Sequence, residues 1–143
     1  MTDARHERWQ ESLAILPGAT ALEQRGDASW MIAPDLDVCA MATTMARLGF
    51  RLSAMTGLAL AEGETAILYH YCQGGVAINI RAETTGRTIA SIAAISRVAD
   101  WAEREIADLY DVQFIGHPNP TRLIRPPALV AGFFRESVSQ EKA

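Results

Sequence analysis

The sequence predicts one α+β domain in two layers, with a mostly antiparallel sheet and helices packed on one side. Two observations carry this prediction. Apolar residues recur at helical spacing near both ends of the chain and alternate in its middle. The predicted strands also follow one another directly, which is typical of α+β domains rather than of parallel α/β sheets. With 143 residues, of which 49% are hydrophobic, the chain can bury one core.

The N-terminal region predicts a helix over residues 3–16. Three of its apolar side chains fall on one face of such a helix: Trp9, Leu13 and Leu16. The Pro17–Gly18 pair ends the helix, because proline cannot continue it and glycine accepts the conformation that terminates it. Two short strands are expected next, over residues 19–25 and 28–33, on either side of a Gly–Asp turn.

A second helix is predicted to begin near Asp35, which is a favourable N-cap residue. Its apolar stripe has four members: Val38, Met41, Met45 and Leu48. Gly49 follows the last of them and suits the left-handed conformation that often ends a helix. The stripe indicates that this helix packs against the sheet.

The middle of the chain predicts four strands. Residues 50–61 form the first, and residues 64–72 and 76–82 form a hairpin closed by Gly74–Gly75. The register of that hairpin pairs two tyrosines with two isoleucines on one apolar face: Tyr71 with Ile78, and Tyr69 with Ile80. The opposite face is mixed, as in a sheet that helices cover on one side. Residues 88–95 are expected to add a buried strand.

A third helix is predicted over residues 101–110. Asp100 at its N-cap and Glu103 three residues later form a capping-box pattern. Arg104 and Asp108 are four residues apart and are expected to form an ion pair on the helix surface. The pattern predicts a charged docking surface on a rigid helix, and an ordinary solvated helix face is the alternative reading.

The composition argues against several classes of protein. A formal net charge of −4 disfavours nucleic-acid binding, which requires a basic surface. The sequence has no apolar run near the roughly 18 residues of a membrane span, and its charged N-terminus does not resemble a signal peptide. Two cysteines, Cys39 and Cys72, are too few for a disulfide framework. We therefore expect a cytoplasmic protein that meets a membrane only through protein partners.

Residues able to carry out chemistry are sparse. His70 and Cys72 share a face of a predicted strand, but a third ligand is not close in sequence, so packing is favoured over a metal site. His117 lies in a Gly-His-Pro turn, where a hydrogen bond that fixes the turn is favoured over proton transfer. The sequence contains no Cys-x-x-Cys, Walker or Gly-x-Ser-x-Gly motif.

One ordered segment is far more specific. It reads Glu103-Arg104-Glu105-x-x-Asp108-Leu109-Tyr110-x-x-x-Phe114-x-Gly116-His117-Pro118, with Arg122-Leu123-Ile124 after it. This segment resembles the signature of the thirty-kilodalton subunit family of respiratory complex I. Relatives of that family occur in membrane-bound hydrogenases and formate hydrogenlyases. Asp111 stands where the family usually has glycine, and aspartate can adopt the same left-handed turn.

The resemblance implies a non-catalytic subunit of the peripheral arm, on the cytoplasmic side of the inner membrane. It implies two neighbours, a large catalytic subunit (hydrogenase or quinone-binding) and a small iron–sulfur subunit. Iron–sulfur clusters, and in the hydrogenase branch a nickel–iron centre, would reside in those partners, with no cofactor in this chain. The implied interface or structural positions are Glu103, Arg104, Glu105, Asp108, His117 and Arg122, none of them catalytic.

The predicted domain spans residues 1–125, and residues 126–143 are expected to form a tail that docks on a partner or is partly disordered. This tail is shorter than the family's usual extension, which favours an energy-converting nickel–iron hydrogenase. The alternative is the thirty-kilodalton subunit of an NADH-quinone oxidoreductase (NADH dehydrogenase). A remote alternative is a small stand-alone α+β enzyme that uses His70 or His117 as a general base.

Overall fold

The computed structural model describes residues 4–135. This part of the chain contains three complete α-helices, a 3₁₀ turn at Ala61–Gly63 and seven β-strands, and residues 133–135 at its end are also helical. The helices are α1 (Ala4–Ala14), α2 (Val38–Arg47) and α3 (Arg97–Tyr110). The strands are β1 (Glu23–Arg25), β2 (Ala28–Ile32), β3 (Arg51–Ala59), β4 (Thr65–Gln73), β5 (Val76–Glu83), β6 (Thr88–Ala90) and β7 (Gln113–Ile115).

The main sheet has five strands in the order β1-β2-β5-β4-β3. Three of its neighbouring pairs are antiparallel, and β2 runs parallel to β5. A separate pair of short parallel strands, β6 and β7, lies outside this sheet. The predicted α+β class with a mostly antiparallel sheet is therefore confirmed.

All three helices contribute to one hydrophobic core on one face of the sheet. Trp9 and Leu13 of α1, Met41 of α2 and Ile106 of α3 belong to the same buried cluster. The sheet residues in that cluster alternate along their strands: Met31, Leu52, Ile67, Tyr69, Tyr71, Ile78 and Ile80. The helices thus form the second layer of the domain. None of the three is long and apolar enough to cross a membrane within residues 4–135.

The β4–β5 hairpin has the predicted register. Tyr69 pairs with Ile80 and Tyr71 with Ile78, and all four side chains are buried. The two-residue turn is made by Gly74 (φ 50°) and its neighbouring glycine (φ 84°), so both adopt the positive φ that a primed turn requires. The turn and the alternation of side chains together determine this register.

Helix α2 begins later than the sequence indicated. Its N-cap is Asp37, whose carboxylate accepts a hydrogen bond from the Ala40 N–H at 3.0 Å. Asp35 lies before the helix, so its assignment as the cap was wrong. Asp35 and Asp37 both lie just before the helix and are equally good cap residues by type. Asp37 is the cap because it lies three residues before an N–H that has no partner inside the helix. Gly49 has φ 87°, which confirms the predicted end of the helix.

The predicted strand over residues 88–95 is wrong beyond Ala90. Only the three residues of β6 are extended, and they pair with β7. After Ser91 the chain turns, and its buried Ile92 N–H donates to the Glu103 carboxylate instead of to a neighbouring strand. The short strand β7 was not predicted, because three residues flanked by a helix and a glycine carry little periodic signal.

Helix α3, in contrast to α2, begins earlier than predicted. It starts at Arg97 with Ser96 as N-cap, so Asp100 lies inside the helix and the predicted capping box is wrong. The reason is that Glu103 is fully buried and binds the segment around Ser91 rather than the helix N-terminus. The added turn gives the helix 14 residues, of which one side rests on β3.

Candidate functional site

Helix α3 lies close against the sheet over a glycine of β3. A Cβ atom at Gly57 would stand 2.8 Å from the Tyr110 ring and 3.3 Å from Ile106. A side chain at this position would therefore push the helix away from the strand. The polar side of α3 faces the segment 112–125, which we call the closing segment because it folds back along the helix.

Glu103 points into the core and fixes the turn after β6. Its carboxylate accepts hydrogen bonds from the Ser91 hydroxyl at 2.5 Å and from the Ile92 N–H at 2.8 Å. Burial raises the pKa of Glu103 above its ordinary value, and these hydrogen bonds, which favour the charged form, oppose the shift only in part. Glu103 therefore belongs to the interior of the domain and not to an exposed docking surface.

Asp108 holds the closing segment against the helix. One of its carboxylate oxygens accepts hydrogen bonds from three consecutive backbone N–H groups: Leu123 at 2.8 Å, Ile124 at 2.8 Å and Arg125 at 3.1 Å. Burial alone would raise the pKa of Asp108, but the three donors and the Arg125 guanidinium outweigh it and lower the pKa. The side chain thus occupies a cradle of N–H groups of the kind that binds anions.

Arg104 contributes a second attachment of the closing segment. Its guanidinium donates to the Thr121 carbonyl at 2.9 Å, the Thr121 hydroxyl at 3.2 Å and the Arg122 carbonyl at 3.3 Å. The expected ion pair between Arg104 and Asp108 is therefore wrong. Asp108 takes its cation from Arg125 instead, at 3.5 Å. Both residues serve the fold of the closing segment, which spacing along the helix alone could not indicate.

His117 anchors the turn after β7. Only 2% of its side chain is exposed. Its Nδ1 accepts from the Asn119 N–H at 2.9 Å, so the ring proton is on Nε2, which donates to the Asp100 carbonyl at 3.0 Å. Both ring nitrogens are engaged with backbone groups, as in the predicted hydrogen bond that fixes the turn.

The C-terminal end of α3 is held by residues from two other segments. Asp111 ends the helix in a left-handed conformation with φ 56°, as the comparison with the family's glycine predicted, and Arg87 donates to its carboxylate at 2.8 Å. Arg135 donates to the Tyr110 carbonyl at 2.8 Å and also contacts the Glu64 carbonyl and the Thr65 hydroxyl. The described end of the tail thus contacts the domain itself.

Glu105 and Arg122 are the two exposed members of the predicted set. Within residues 4–135 neither side chain makes a hydrogen bond or an ion pair. They differ in this respect from the buried carboxylates of Glu103 and Asp108, which serve the fold. An interface role for these positions stays a prediction.

His70 lies on the face of the sheet that the helices leave uncovered. Its Nδ1 is 2.7 Å from the Asn79 amide oxygen and its Nε2 is 2.8 Å from the Thr56 hydroxyl. Cys72 is exposed two residues further along the same strand. Within the described residues, no three His, Cys, Asp or Glu side chains come close enough to hold a metal ion.

Sequence reasoning found the helix and its charged residues but missed three side chains that complete the site. Ser91 binds Glu103, Arg87 binds Asp111, and Arg135 binds the end of α3. Each lies 12 or more residues from its partner. A local sequence pattern cannot predict contacts between residues that are so far apart in the chain.

Comparison with known families and curated proteins gives a consistent result. The model of the family described as respiratory-chain NADH dehydrogenase, 30 Kd subunit, matches residues 33–142. A NAD(P)H-quinone oxidoreductase subunit J from Synechococcus strain RCC307 is 33% identical over 98 residues, covering 60% of this chain and 56% of that protein. A C/D-type NADH-quinone oxidoreductase subunit from Methylococcus capsulatus is 37% identical over 65 residues, covering 43% of this chain and 11% of that longer protein. The matched region thus spans little more than half of the first relative and a small part of the second.

Two solved structures share the fold. A trypsin-resistant fragment of Nqo5 superposes with a TM-score of 0.63 at 23% identity, covering 80% of this chain and 98% of the fragment. A chain of the membrane-bound sulfane sulfur reductase, an archaeal respiratory membrane complex, superposes with a TM-score of 0.76 at 16% identity. That match covers 98% of this chain and 91% of the other.

Proposed function

The chain belongs to the family of the 30 Kd subunit of respiratory-chain NADH dehydrogenase, and from this premise we propose that it is a non-catalytic structural subunit of a complex I-like membrane-bound oxidoreductase. It would lie in the peripheral arm, on the cytoplasmic side of the inner membrane. Its neighbours would be a large catalytic subunit and a small iron–sulfur subunit. These partners would hold the iron–sulfur clusters and provide the contact with the membrane.

The observation that carries the structural role is the orientation of the signature residues. Glu103 and Asp108 accept hydrogen bonds from the chain's own groups, and both nitrogens of His117 are engaged with its backbone. A general acid or base needs a proton position that a substrate can reach. These residues instead shape a rigid surface, which is what a structural subunit presents to its neighbours.

Two branches of the family remain as candidates for the complex. We propose an energy-converting nickel–iron hydrogenase as the first candidate, because the segment from Glu103 to Arg125 resembles the signature that this family shares with subunits of membrane-bound hydrogenases. The alternative is an NADH-quinone oxidoreductase, and the names of the relatives from Synechococcus and Methylococcus favour it. Shared fold does not decide between them, because one fold serves several complexes.

Co-purification tests the proposal. The full chain, tagged and expressed at native level in its own host, is extracted from membranes in mild detergent, and the co-purifying proteins are identified by mass spectrometry. A nickel–iron large subunit supports the hydrogenase branch, and a quinone-reducing set supports the alternative. A chain that is recovered alone from the soluble fraction contradicts both and favours the remote alternative of a small enzyme, with His70 as the histidine to test.

A further inference from the structure

A groove lies where α2, the start of β3 and the first turn of α3 meet. Its volume is about 310 Å³, and we call it the α3 N-terminal groove. Its apolar walls are formed by Ala42, Ala46, Phe50, Leu52, Ile95 and Val98. Ile95 is 39% exposed and Val98 is 47% exposed, so the apolar wall on the side of α3 is open to solvent. A groove of this kind can receive one large apolar side chain.

The charged residues of the groove are all cationic. Arg51 and Arg97 line it and are exposed, and neither side chain makes a hydrogen bond or ion pair within residues 4–135. This differs from the closing segment, where Arg104 and Arg125 are bound to groups of the chain itself. Two unpaired cations beside an apolar wall are complementary to carboxylates that flank an apolar side chain.

The position of Arg97 is unfavourable for the helix that carries it. It is the first residue of α3, where the helix dipole already presents positive charge. The N-cap residue Ser96 makes no side-chain hydrogen bond that would offset this. A cation at a helix N-terminus is electrostatically unfavourable, and unfavourable placements of this kind occur at functional sites. Arg97 and the N-terminus of α3 both favour an anion at this position.

Tyr71 supplies an independent observation. It lines the groove, it is 4% exposed, and its hydroxyl has no hydrogen-bond partner within the described part of the chain. Buried hydroxyls are normally paired, so the wall of the groove includes a residue with an unmet hydrogen-bonding capacity. The groove therefore combines an apolar wall, a tyrosine whose buried hydroxyl is unpaired, and two arginines whose side chains are unpaired within residues 4–135.

We propose that the α3 N-terminal groove docks a segment of a partner subunit in which an apolar side chain is flanked by aspartate or glutamate. The apolar side chain packs against Val98 and Phe50, and the carboxylates lie at Arg51 and Arg97. Trp101, 67% exposed one turn further along α3, extends the contact. The inference rests on the proposed function, because it assigns a surface to the assembly that the function requires.

Charge reversal tests the inference in the intact complex. Tagged full-length chains are purified from host membranes, and the co-purifying oxidoreductase subunits are quantified for the wild type and for R51E/R97E. We expect their yield to fall about tenfold or more, because like charges then face each other across the contact. The variant should remain folded, since both sites are exposed and Glu at the helix N-terminus is favourable. Thermal unfolding of the isolated variant checks this.

Two controls sharpen the experiment. R51K/R97K keeps the charge and should retain most of the yield, and R25E reverses an exposed arginine on β1, at the opposite edge of the sheet, and should leave the yield unchanged. Wild-type yield from R51E/R97E overturns the inference while leaving the proposed function intact. A wild-type chain that recovers no oxidoreductase subunit overturns the proposed function, and the inference with it.

The chemistry of the occupant is identified by photo-crosslinking. A benzophenone amino acid replaces Val98 in the full chain, the purified complex is irradiated, and the cross-linked peptide is sequenced. We expect a peptide from a partner subunit with an aspartate or glutamate within a few residues of the linked position. A basic or uncharged peptide, or an intact complex in which position 98 links to no protein, contradicts the inference.

Discussion

The two ends of helix α3 use their charged residues in opposite ways. Toward the C-terminal end, Arg104 and Asp108 are bound to the closing segment, whose N–H and carbonyl groups they occupy. At the N-terminal end, Arg97 and the neighbouring Arg51 are unpaired within residues 4–135. The charged residues of the signature therefore serve mainly to hold the domain together. Two arginines whose side chains make no hydrogen bond or ion pair within residues 4–135 lie instead at the N-terminal end of α3. A concentration of charged residues in a sequence does not by itself locate an interface.

The largest effect is expected from Asp108→Asn. The substitution removes the charge that three backbone N–H groups and Arg125 share, and the Asn amide nitrogen cannot accept from them. We expect the free energy of unfolding to fall by about 2–4 kcal/mol, because hydrogen bonds to a buried charge are stronger than neutral ones. Urea unfolding of the isolated chain at pH 7 measures this. Glu105→Gln, an exposed change on the same helix, is the control, and equal stability of the two variants would show that Asp108 does not organise the closing segment.

A somewhat smaller effect is expected from Arg135→Ala. Its guanidinium joins the tail to the Tyr110 carbonyl at the end of α3 and to the Glu64 carbonyl and Thr65 hydroxyl at the start of β4. Losing these hydrogen bonds should cost about 1–3 kcal/mol and expose the tail to protease. Arg122→Ala, which removes an arginine that makes no such bonds in the described part, should change stability by less than about 0.5 kcal/mol. Similar proteolysis of the two variants would place the tail outside the folded domain.

The two buried carboxylates of α3 should give opposite pH dependences. The pKa of Asp108 is lowered in the fold, so its contribution is present above its unfolded pKa and is lost as pH falls through the folded pKa. The pKa of Glu103 is raised, so its contribution is present below its unfolded pKa and is lost as pH rises through the folded pKa.

Urea unfolding at pH 4 and pH 7 separates these two contributions. The difference in free energy of unfolding between the wild type and Asp108→Asn should be smaller at pH 4 than at pH 7. At pH 4 the wild type has already lost part of the stability that the Asp108 carboxylate provides. The difference between the wild type and Glu103→Gln should be smaller at pH 7 than at pH 4, because the stability that Glu103 contributes to the wild type decreases as pH rises. A loss that is equal at the two pH values for either variant would show that the folded pKa of that carboxylate is not shifted.

The smallest effects on stability are expected on the exposed surface of α3. Glu105→Lys and Trp101→Ala each alter a solvent-facing side chain and should change the free energy of unfolding by less than about 0.5 kcal/mol. Both should nevertheless weaken recovery of partner subunits from membranes. Normal assembly by either variant would remove its residue from the interface, and unfolding would show that the position is part of the core.

The sequence predicted best where local rules and packing agree. The hairpin of β4 and β5 was predicted to the correct register because two glycines specify the turn and four large side chains specify the buried face. The end of α2 at Gly49 and the left-handed Asp111 were predicted for the same reason, since backbone conformation restricts the residue type at such positions.

The errors around α3 and residues 91–95 share one physical cause, which is competition from a distant partner. Glu103 looked like a capping residue, yet its carboxylate binds Ser91 and Ile92, which are brought to it by the fold. The same contact ends the strand that was predicted to continue to residue 95. Arg104 and Asp108 had the spacing of an ion pair, but the closing segment offers each of them several backbone hydrogen-bond partners, which a single neighbour on the helix surface cannot match.

The central structural claim is that Asp108 organises the closing segment within the isolated chain. Hydrogen exchange followed by NMR at the amides of Leu123, Ile124 and Arg125 tests it most directly. We predict that all three amides are protected in the full-length chain without partners and lose that protection in Asp108→Asn, while the amides of β4 stay protected. Rapid exchange of the three amides in the wild type would contradict the claim and show that this segment is ordered only in a complex.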